Sequence, residues 1–264
     1  MKGIAWFIVL CGCIATTSAL GAAPAPREKF HLYLLAGQSN MAGRAPVEEQ
    51  DRTPHPRVFS LNAKGEWVPA TEPLHFDKPK IAGVGPGLAF GKAMAEAEPD
   101  VVIGLIPCAV GGSPLRSWQP GAVDAATKTT PYDTAIERTK FALKDGVLKG
   151  ILWHQGESDA NEKNASTYGK RLEETLTRLR EDLGARNVPI VLGELGKHIL
   201  DKNPYGEVVN KGLADVAKTL PHAGLATAEG LKDKGDHTHF GTDSAREFGR
   251  RYAAVMLKLQ AGGK

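Results

Sequence analysis

The sequence predicts a three-layer α/β/α domain on a mainly parallel sheet of five strands. Three observations carry this. Strand-like and helix-like runs alternate from Phe30 to Gln260, the order of an α/β fold. Two strand runs, Phe30 to Ala36 and Val101 to Pro107, are almost continuously apolar, as when helices cover both faces of a parallel sheet. The polar, glycine-rich motifs directly follow strand runs, and such folds carry their sites at the carboxyl ends of strands.

The elements read in order as follows. Phe30 to Ala36 is the first strand. Arg57 to Leu61 and Trp67 to Ala70 flank the turn-rich Asn62-Ala63-Lys64-Gly65 and read as a surface β-hairpin. After Pro86, Gly87 to Ala97 sets Leu88, Ala89, Met94 and Ala95 at helical spacing. Val101 to Pro107 is the next strand. Tyr132 to Lys144 is a helix with Ala135, Ile136, Phe141 and Leu143 apolar, and Gly150 to Trp153 a short buried strand. In Ser166 to Leu183, Leu172, Leu176, Leu179 and Leu183 keep the three-to-four spacing of a helix, and Gly184 ends it. Pro189 to Leu192 is a strand, Glu207 to Leu220 a helix and Ala223 to Thr227 a strand. Thr242 to Gln260 is the closing helix, capped by Thr242 or Asp243.

A chain of 264 residues suits one α/β domain with a large core. A formal net charge of +3, with basic residues spread along the chain, gives no reason to expect a nucleic-acid partner. No mature segment is apolar enough to span a membrane. The N-terminus differs: Lys2 precedes the apolar Ile4 to Leu10, and small residues follow to Ala23. Residues 1–23 read as a secretory signal peptide, cleaved after Ala19 or Gly21. Leu10-Cys11-Gly12-Cys13 also resembles a bacterial lipobox with Cys13 as the lipid-bearing residue. Cys11 stands where a small residue is usual, so plain export is the preferred reading. The expected product is secreted or periplasmic, with a short tether over 24–29 and one domain over 30–261. Cys108 is then the one cysteine of the mature chain, so no intrachain disulfide forms. It reads as a buried small hydrophobe.

The chemistry concentrates in four motifs. Ser39 follows the first strand in Gly37-Gln38-Ser39-Asn40-Met41, and Asp236-His237-Thr238-His239 stands near the C-terminus. A serine hydroxyl needs a base to become a nucleophile. His239 is the expected base, and Asp236 would hold its ring and stabilise the imidazolium. Their spacing lets one loop deliver both. The alternative makes Ser39 a helix N-cap. His237 is adjacent to Asp236 and reads as a rim residue. Gly111-Gly112 after the second long strand can aim backbone N–H groups at an oxyanion; Gly112 is the expected donor, and a plain turn the alternative. In Trp153-His154-Gln155-Gly156-Glu157-Ser158-Asp159, Gln155 is a further candidate donor. Glu157 is either a second acid near His239 or a buried carboxylate held by backbone N–H groups.

These blocks resemble the SGNH hydrolase superfamily, and within it the sialate O-acetylesterase-like branch that includes carbohydrate esterase family 6 acetyl xylan esterases. The motifs that carry the resemblance are Gly37-Gln38-Ser39-Asn40-Met41, Pro107 to Ser113, Trp153 to Asp159 and Asp236-x-x-His239-Phe240, in the family's order. The resemblance implies a flavodoxin-like sheet, Ser39 as nucleophile, His239 as base and Asp236 as its partner. It implies an oxyanion hole from the Ser39 N–H, Gly112 and the third block, where Gln155 replaces the superfamily's usual Asn. In parts of the branch the Glu at the position of Glu157 is held to be catalytic. Arg116 and Trp118 are candidates to line a sugar site, the arginine through a carboxylate, with core packing as the alternative for Trp118. Arg44 is a weaker candidate of the same kind. His31, His55, His75, His198 and His222 read as surface or loop residues.

The leading expectation is therefore an exported serine esterase that removes O-acetyl groups from carbohydrate, of the acetyl xylan or sialic acid type. It needs no cofactor or metal, and its partner is an acetylated oligo- or polysaccharide. A metal-dependent hydrolase using Asp236, His237, His239 and His154 or Glu157 is a second reading. A non-catalytic carbohydrate-binding protein on the same fold is a third.

Overall fold

In the computed structural model of the chain, which describes residues 23–263, the strand Phe30–Gly37 (β1) forms the middle of the sheet. The signal-peptide and lipobox expectations fall outside the described residues. β1 alternates as a doubly covered strand must: Leu32, Leu34 and Ala36 enter one core cluster, while Tyr33 and Leu35 enter the other. The remaining strands are Val58–Leu61 (β2), Trp67–Pro69 (β3), Val102–Pro107 (β4), Val147–His154 (β5), Ile190–Gly193 (β6) and Ala223–Ala226 (β7). The sheet order is β3-β2-β4-β1-β5-β6-β7. All pairs are parallel except β2–β3.

The sheet thus has seven strands, not the expected five. The segment read as a surface hairpin joins it, with β2 in parallel register against β4 from Val58↔Ile103 to Ser60↔Leu105. Val58 and Leu61 are buried, and an isolated two-stranded hairpin has no second layer in which to bury them. β3 forms the antiparallel edge and ends on Pro69, a residue suited to an edge.

The helices are Ser39–Ala42 (α1), Glu49–Arg52 (α2), Pro86–Ala97 (α3), Pro131–Ala142 (α4), Tyr168–Asp182 (α5), Lys197–Leu200 (α6), Tyr205–Thr219 (α7) and Thr242–Gln260 (α8). α4, α5 and α7 cover one face, while α3 and α8 cover the other. Leu172, Leu176 and Leu179 of α5 are fully buried, as their spacing requires. None of these helices is long and apolar enough to cross a membrane. α8 is not capped by Thr242 or Asp243: Gly241 is the N-cap, and Thr242 Oγ1 donates instead to the Pro46 carbonyl at 2.8 Å. The segment 24–29 is tied down rather than loose: Arg27–Lys29 form a 3-10 turn and Ala25 packs on the core. β1, β4, β5 and β7 all end on the same edge of the sheet, which brings the four polar motifs together.

Candidate active site

The turn that carries Ser39 is dictated by Gly37. Its φ is +127°, and a Cβ there would lie 2.0 Å from the His154 carbonyl oxygen. Only glycine allows β1 and β5 to close this tightly, and the Gln38 N–H then donates to that same carbonyl at 2.8 Å. The chain turns at once into α1, with Gln38 as N-cap and Ser39 as first residue. Ser39 is therefore no cap. Its N–H is one of the unpaired donors of a helix start, and its side chain faces His239.

His239 arrives on a loop that folds back on itself. Asp233 bridges Phe240, and the Lys234 N–H donates to the His239 carbonyl at 2.9 Å. Asp233 Oδ2 accepts the N–H groups of Gly235 and His237 at 3.0 and 2.6 Å. Inside this turn Asp236 does two things. Its Oδ1 accepts the N–H groups of Thr238 and His239 at 3.0 and 2.8 Å, and its Oδ2 meets His239 Nδ1 at 2.8 Å. Partial burial pushes the Asp236 carboxyl up, but the bonds from the His239 N–H, its ring and the Thr238 N–H outweigh it and hold the group far below the usual carboxylate range. An ionised Asp236 accepts only, so Nδ1 carries the proton. Nε2 then has its lone pair free for Ser39 Oγ, which lies 3.0 Å away. The arrangement can take a proton from Ser39 and return it to a leaving group.

The glycine turn after β4 supplies the other half. Gly112 has φ +79° and is exposed. Among the described residues, neither its N–H nor that of Ser39 has an intramolecular acceptor. The turn is braced from behind. The Gly111 N–H donates to Asp77 Oδ2 at 2.7 Å, and Arg44 Nη2 donates to the same oxygen at 2.6 Å. A Cβ on Gly111 would collide with that guanidinium at 2.3 Å.

Comparison with known proteins gives the chain's family. The pattern of the family "carbohydrate esterase, sialic acid-specific acetylesterase" matches residues 29–258. A probable carbohydrate esterase of Arabidopsis thaliana is 31% identical over 246 residues, which is 86% of this chain and 90% of that protein. An X-ray structure of this Arabidopsis protein superposes with a TM-score of 0.74 at 29% identity, covering 86% of this chain and 98% of that one. A probable 9-O-acetyl-N-acetylneuraminic acid deacetylase of Escherichia coli is 23% identical over 198 residues, 58% of this chain and 61% of the other. The crystal structure of NanS shares the fold, with a TM-score of 0.71 at 18% identity over 90% of this chain and 99% of that one. The chain belongs to the sialic acid-specific acetylesterase family.

As a carbohydrate acetylesterase, the protein is a carboxylic ester hydrolase. Several expected residues take other places in the esterase. Gln155 is fully buried, and its amide nitrogen is already engaged: Nε2 donates to Asp159 Oδ2 at 2.7 Å and shares its other hydrogen between Gln38 Oε1 at 3.3 Å and Ser113 O at 3.4 Å. The buried Asp159 holds that nitrogen and also accepts the Leu115 N–H at 2.7 Å. Trp118 is fully buried too, donating to Ser113 Oγ at 3.0 Å and packing edge-on against Trp153. It supports the glycine turn rather than a sugar. Arg44 is sealed in with Asp77 and braces the same turn. Arg116 is exposed on the 3-10 turn that follows and has no ion-pair partner among the described residues.

The histidines divide the same way. His237 is exposed at the rim, in left-handed conformation with φ 58°. His75 lies in a loop, as one of the two expected readings has it, but is buried there; His198 stands in α6 and packs edge-on against Phe240, so it is not a loop residue. His154 is fully buried behind Phe240, and among the described residues no three His, Cys, Asp or Glu side chains converge as metal ligands. Cys108 is buried, and burial pushes its thiol up to about 11.

Glu157 makes no contact with His239 and is not held by neighbouring backbone loops. It accepts from Asn40 Nδ2 at 2.7 Å and lies 3.5 Å from His154 Nε2. Burial raises its carboxyl, but His154 and Asn40 outweigh this and the group titrates below its ordinary value. Asn40, Asp77, Gln38 and Asp159 all shape the site and were given no role from sequence. Asn40 sits directly after Ser39 inside the first motif, and that position was the available signal. Asp77 gives none, because its partners are 33 and 34 residues away.

Proposed function

We propose that this esterase removes O-acetyl groups from carbohydrate with Ser39 as nucleophile, His239 as general base and acid, and Asp236 as the partner that orients and stabilises the imidazolium. The observation that carries the reading is the unbroken chain Asp236–His239–Ser39, with contacts of 2.8 and 3.0 Å. Ser39 Oγ attacks the acetyl carbonyl as its proton passes to His239 Nε2. The oxyanion is received by the N–H groups of Ser39 and Gly112. The C–O bond to the sugar then breaks, and the sugar oxygen leaves with the proton from His239. Water gives a proton to His239, attacks the acetyl-Ser39 ester and releases acetate, and Ser39 recovers its hydrogen. Each oxyanion donor is typically worth about 3 kcal/mol in such a step.

Acetylated sialic acids are the preferred substrate class and acetyl xylan the second. The family's description and the E. coli relative's name support the first. So does the exposed, unpaired Arg116 beside the glycine turn, a group suited to a substrate carboxylate. The protein is proposed to act outside the cytoplasm after loss of its leader, in secreted or periplasmic form.

The test is acetate release from O-acetyl sialic acid, acetyl xylan and an acetylated pectin, by wild type and Ser39→Ala. The serine should account for all activity above about one part in ten thousand. Near-wild-type turnover by Ser39→Ala would overturn the mechanism. Mass measurement of the exported protein's N-terminus checks the leader.

A further inference from the structure

Behind the Ser39–His239 pair lies a chain of buried polar groups that the mechanism above does not use. Asn40, the residue after the nucleophile, has all its amide capacity on one task. Its Nδ2 donates to Glu157 Oε1 at 2.7 Å and to the Thr238 carbonyl at 3.0 Å, and its Oδ1 accepts the Phe240 N–H at 3.1 Å. Thr238 and Phe240 flank His239 on either side. One side chain thus ties the turn that carries the nucleophile to the loop that carries the base, across 198 to 200 residues of sequence.

The other end of the chain fixes a proton. Tyr252 Oη donates its one hydrogen to the Trp153 carbonyl at 3.0 Å and lies 3.1 Å from His154 Nδ1. Having one hydrogen only, the hydroxyl can receive but not give at the imidazole, so Nδ1 is the donor. Burial keeps the Tyr252 hydroxyl protonated. His154 Nε2 then faces Glu157 Oε1 at 3.5 Å. Both groups are buried, so each faces the other in place of solvent. The ring is caged by Phe240 and Phe248, with centroids at 5.8 and 5.3 Å. Gly193 makes room for it, since a Cβ there would meet Tyr252 Oη at 1.9 Å and His154 Nδ1 at 2.5 Å. Tyr168, Tyr252 and His198 are the other ionisable groups that feel Glu157.

We propose that Glu157 is a positioning residue rather than a second acid of the triad: buried beside His154, it anchors Asn40, and Asn40 sets the register between Ser39 and His239. The catalytic part of this inference rests on the serine mechanism proposed above.

The experiment compares Glu157→Ala, Glu157→Gln, Asn40→Ala and the double variant Asn40→Ala/Glu157→Ala. It reads kcat and KM on an acetyl ester, and amide hydrogen exchange at Phe240 by NMR. The amide oxygen introduced by Glu157→Gln can take the place of Oε1 and still accept from Asn40 Nδ2, with the amide nitrogen in the place of Oε2, so this variant keeps the Asn40 anchor and should recover most of what Glu157→Ala loses. We expect Glu157→Ala and Asn40→Ala each to lower kcat by about 30-fold or more with KM within about threefold. The double variant should be no more than about threefold worse than either single one, as for groups acting in series. Exchange at Phe240 should quicken about tenfold or more in both alanine variants and stay near wild type in Glu157→Gln. A Glu157→Gln enzyme as inactive as Glu157→Ala, with Phe240 still protected, would place Glu157 in the chemistry and overturn the proposal. Unchanged exchange in both alanine variants would overturn it as well. Because exchange needs no turnover, a wild type inactive on every acetyl ester would sink the serine-esterase reading while the anchor is still judged.

Discussion

Replacing Asp236 by Asn changes one atom and should nearly silence the esterase. In the wild type the anionic Oδ2 accepts the His239 Nδ1 proton at 2.8 Å, and Oδ1 accepts two backbone N–H groups of its own turn. An asparagine keeps one oxygen for those N–H groups and turns its NH2 toward the ring. His239 must then carry its proton on Nε2, against Ser39 Oγ, and can no longer act as base. The same swap in a serine protease triad lowers kcat by about 10⁴, which at about 1.4 kcal/mol per factor of ten is about 5 kcal/mol of barrier. The Asp236 side chain is 36% exposed, so solvent screens part of its charge but leaves the tautomer argument intact. The expected fall in kcat is about 10³- to 10⁴-fold, with KM within a few-fold. Initial rates of acetate release measure it, with circular dichroism to confirm the fold. A loss of less than about tenfold would refute the reasoning, because the ring would then be held by something other than Asp236.

Further perturbations separate structure from function. Burial pushes the Glu72 carboxyl, bonded to the N–H groups of Leu74 and Gly85, up to about 8. Between its unfolded value near about 4.3 and that raised value the folded state holds the proton that the unfolded state loses, so stability should fall as pH rises through that window. Denaturant unfolding at acid and alkaline pH, either side of the window, should show that decline in the wild type, on the order of 5 kcal/mol from this group, and a smaller one in Glu72→Gln; equal slopes would reject it. At the glycine turn, Trp118→Phe should lower the melting temperature through lost packing and a lost hydrogen bond, costing about 1–3 kcal/mol, with KM unmoved. Arg116→Ala should leave the melting temperature alone and raise KM for an anionic acetylated sugar more than for acetyl xylan; an equal effect on both would remove the carboxylate role.

Where sequence reading stopped short, the missing information was a partner distant in the chain or a side-chain direction set by a turn. The hairpin at Arg57 to Ala70 looked self-contained, because local turn residues say nothing about β4, the strand against which Val58 pairs. Gln155, Arg44 and Trp118 are residue types that bind oxyanions, carboxylates and sugars. The acids and serine that claim them, Asp159, Asp77 and Ser113, come from other loops or from positions whose side-chain direction depends on the turn. Glu157 stood equally open between two readings. A third environment, His154 and Asn40, emerged once β5 and α1 were packed together.

What the sequence determined by itself is what short-range physics determines. Continuous apolar runs, and apolar positions recurring at the 3.6-residue helical period, set the alternating elements and hence the layered α/β class. The Asp-x-x-His spacing is local, so the bond between Asp236 and His239 follows from one turn. The motifs' places after strands put them on one sheet edge and carried the resemblance to acetylesterases. Only the tertiary structure decided which polar groups remain free to do chemistry. A buried donor is useful to a substrate only if no protein acceptor has already taken it, and that depends on neighbours set by the whole fold. Ser39 and Gly112 kept their N–H groups free, while Gln155 did not.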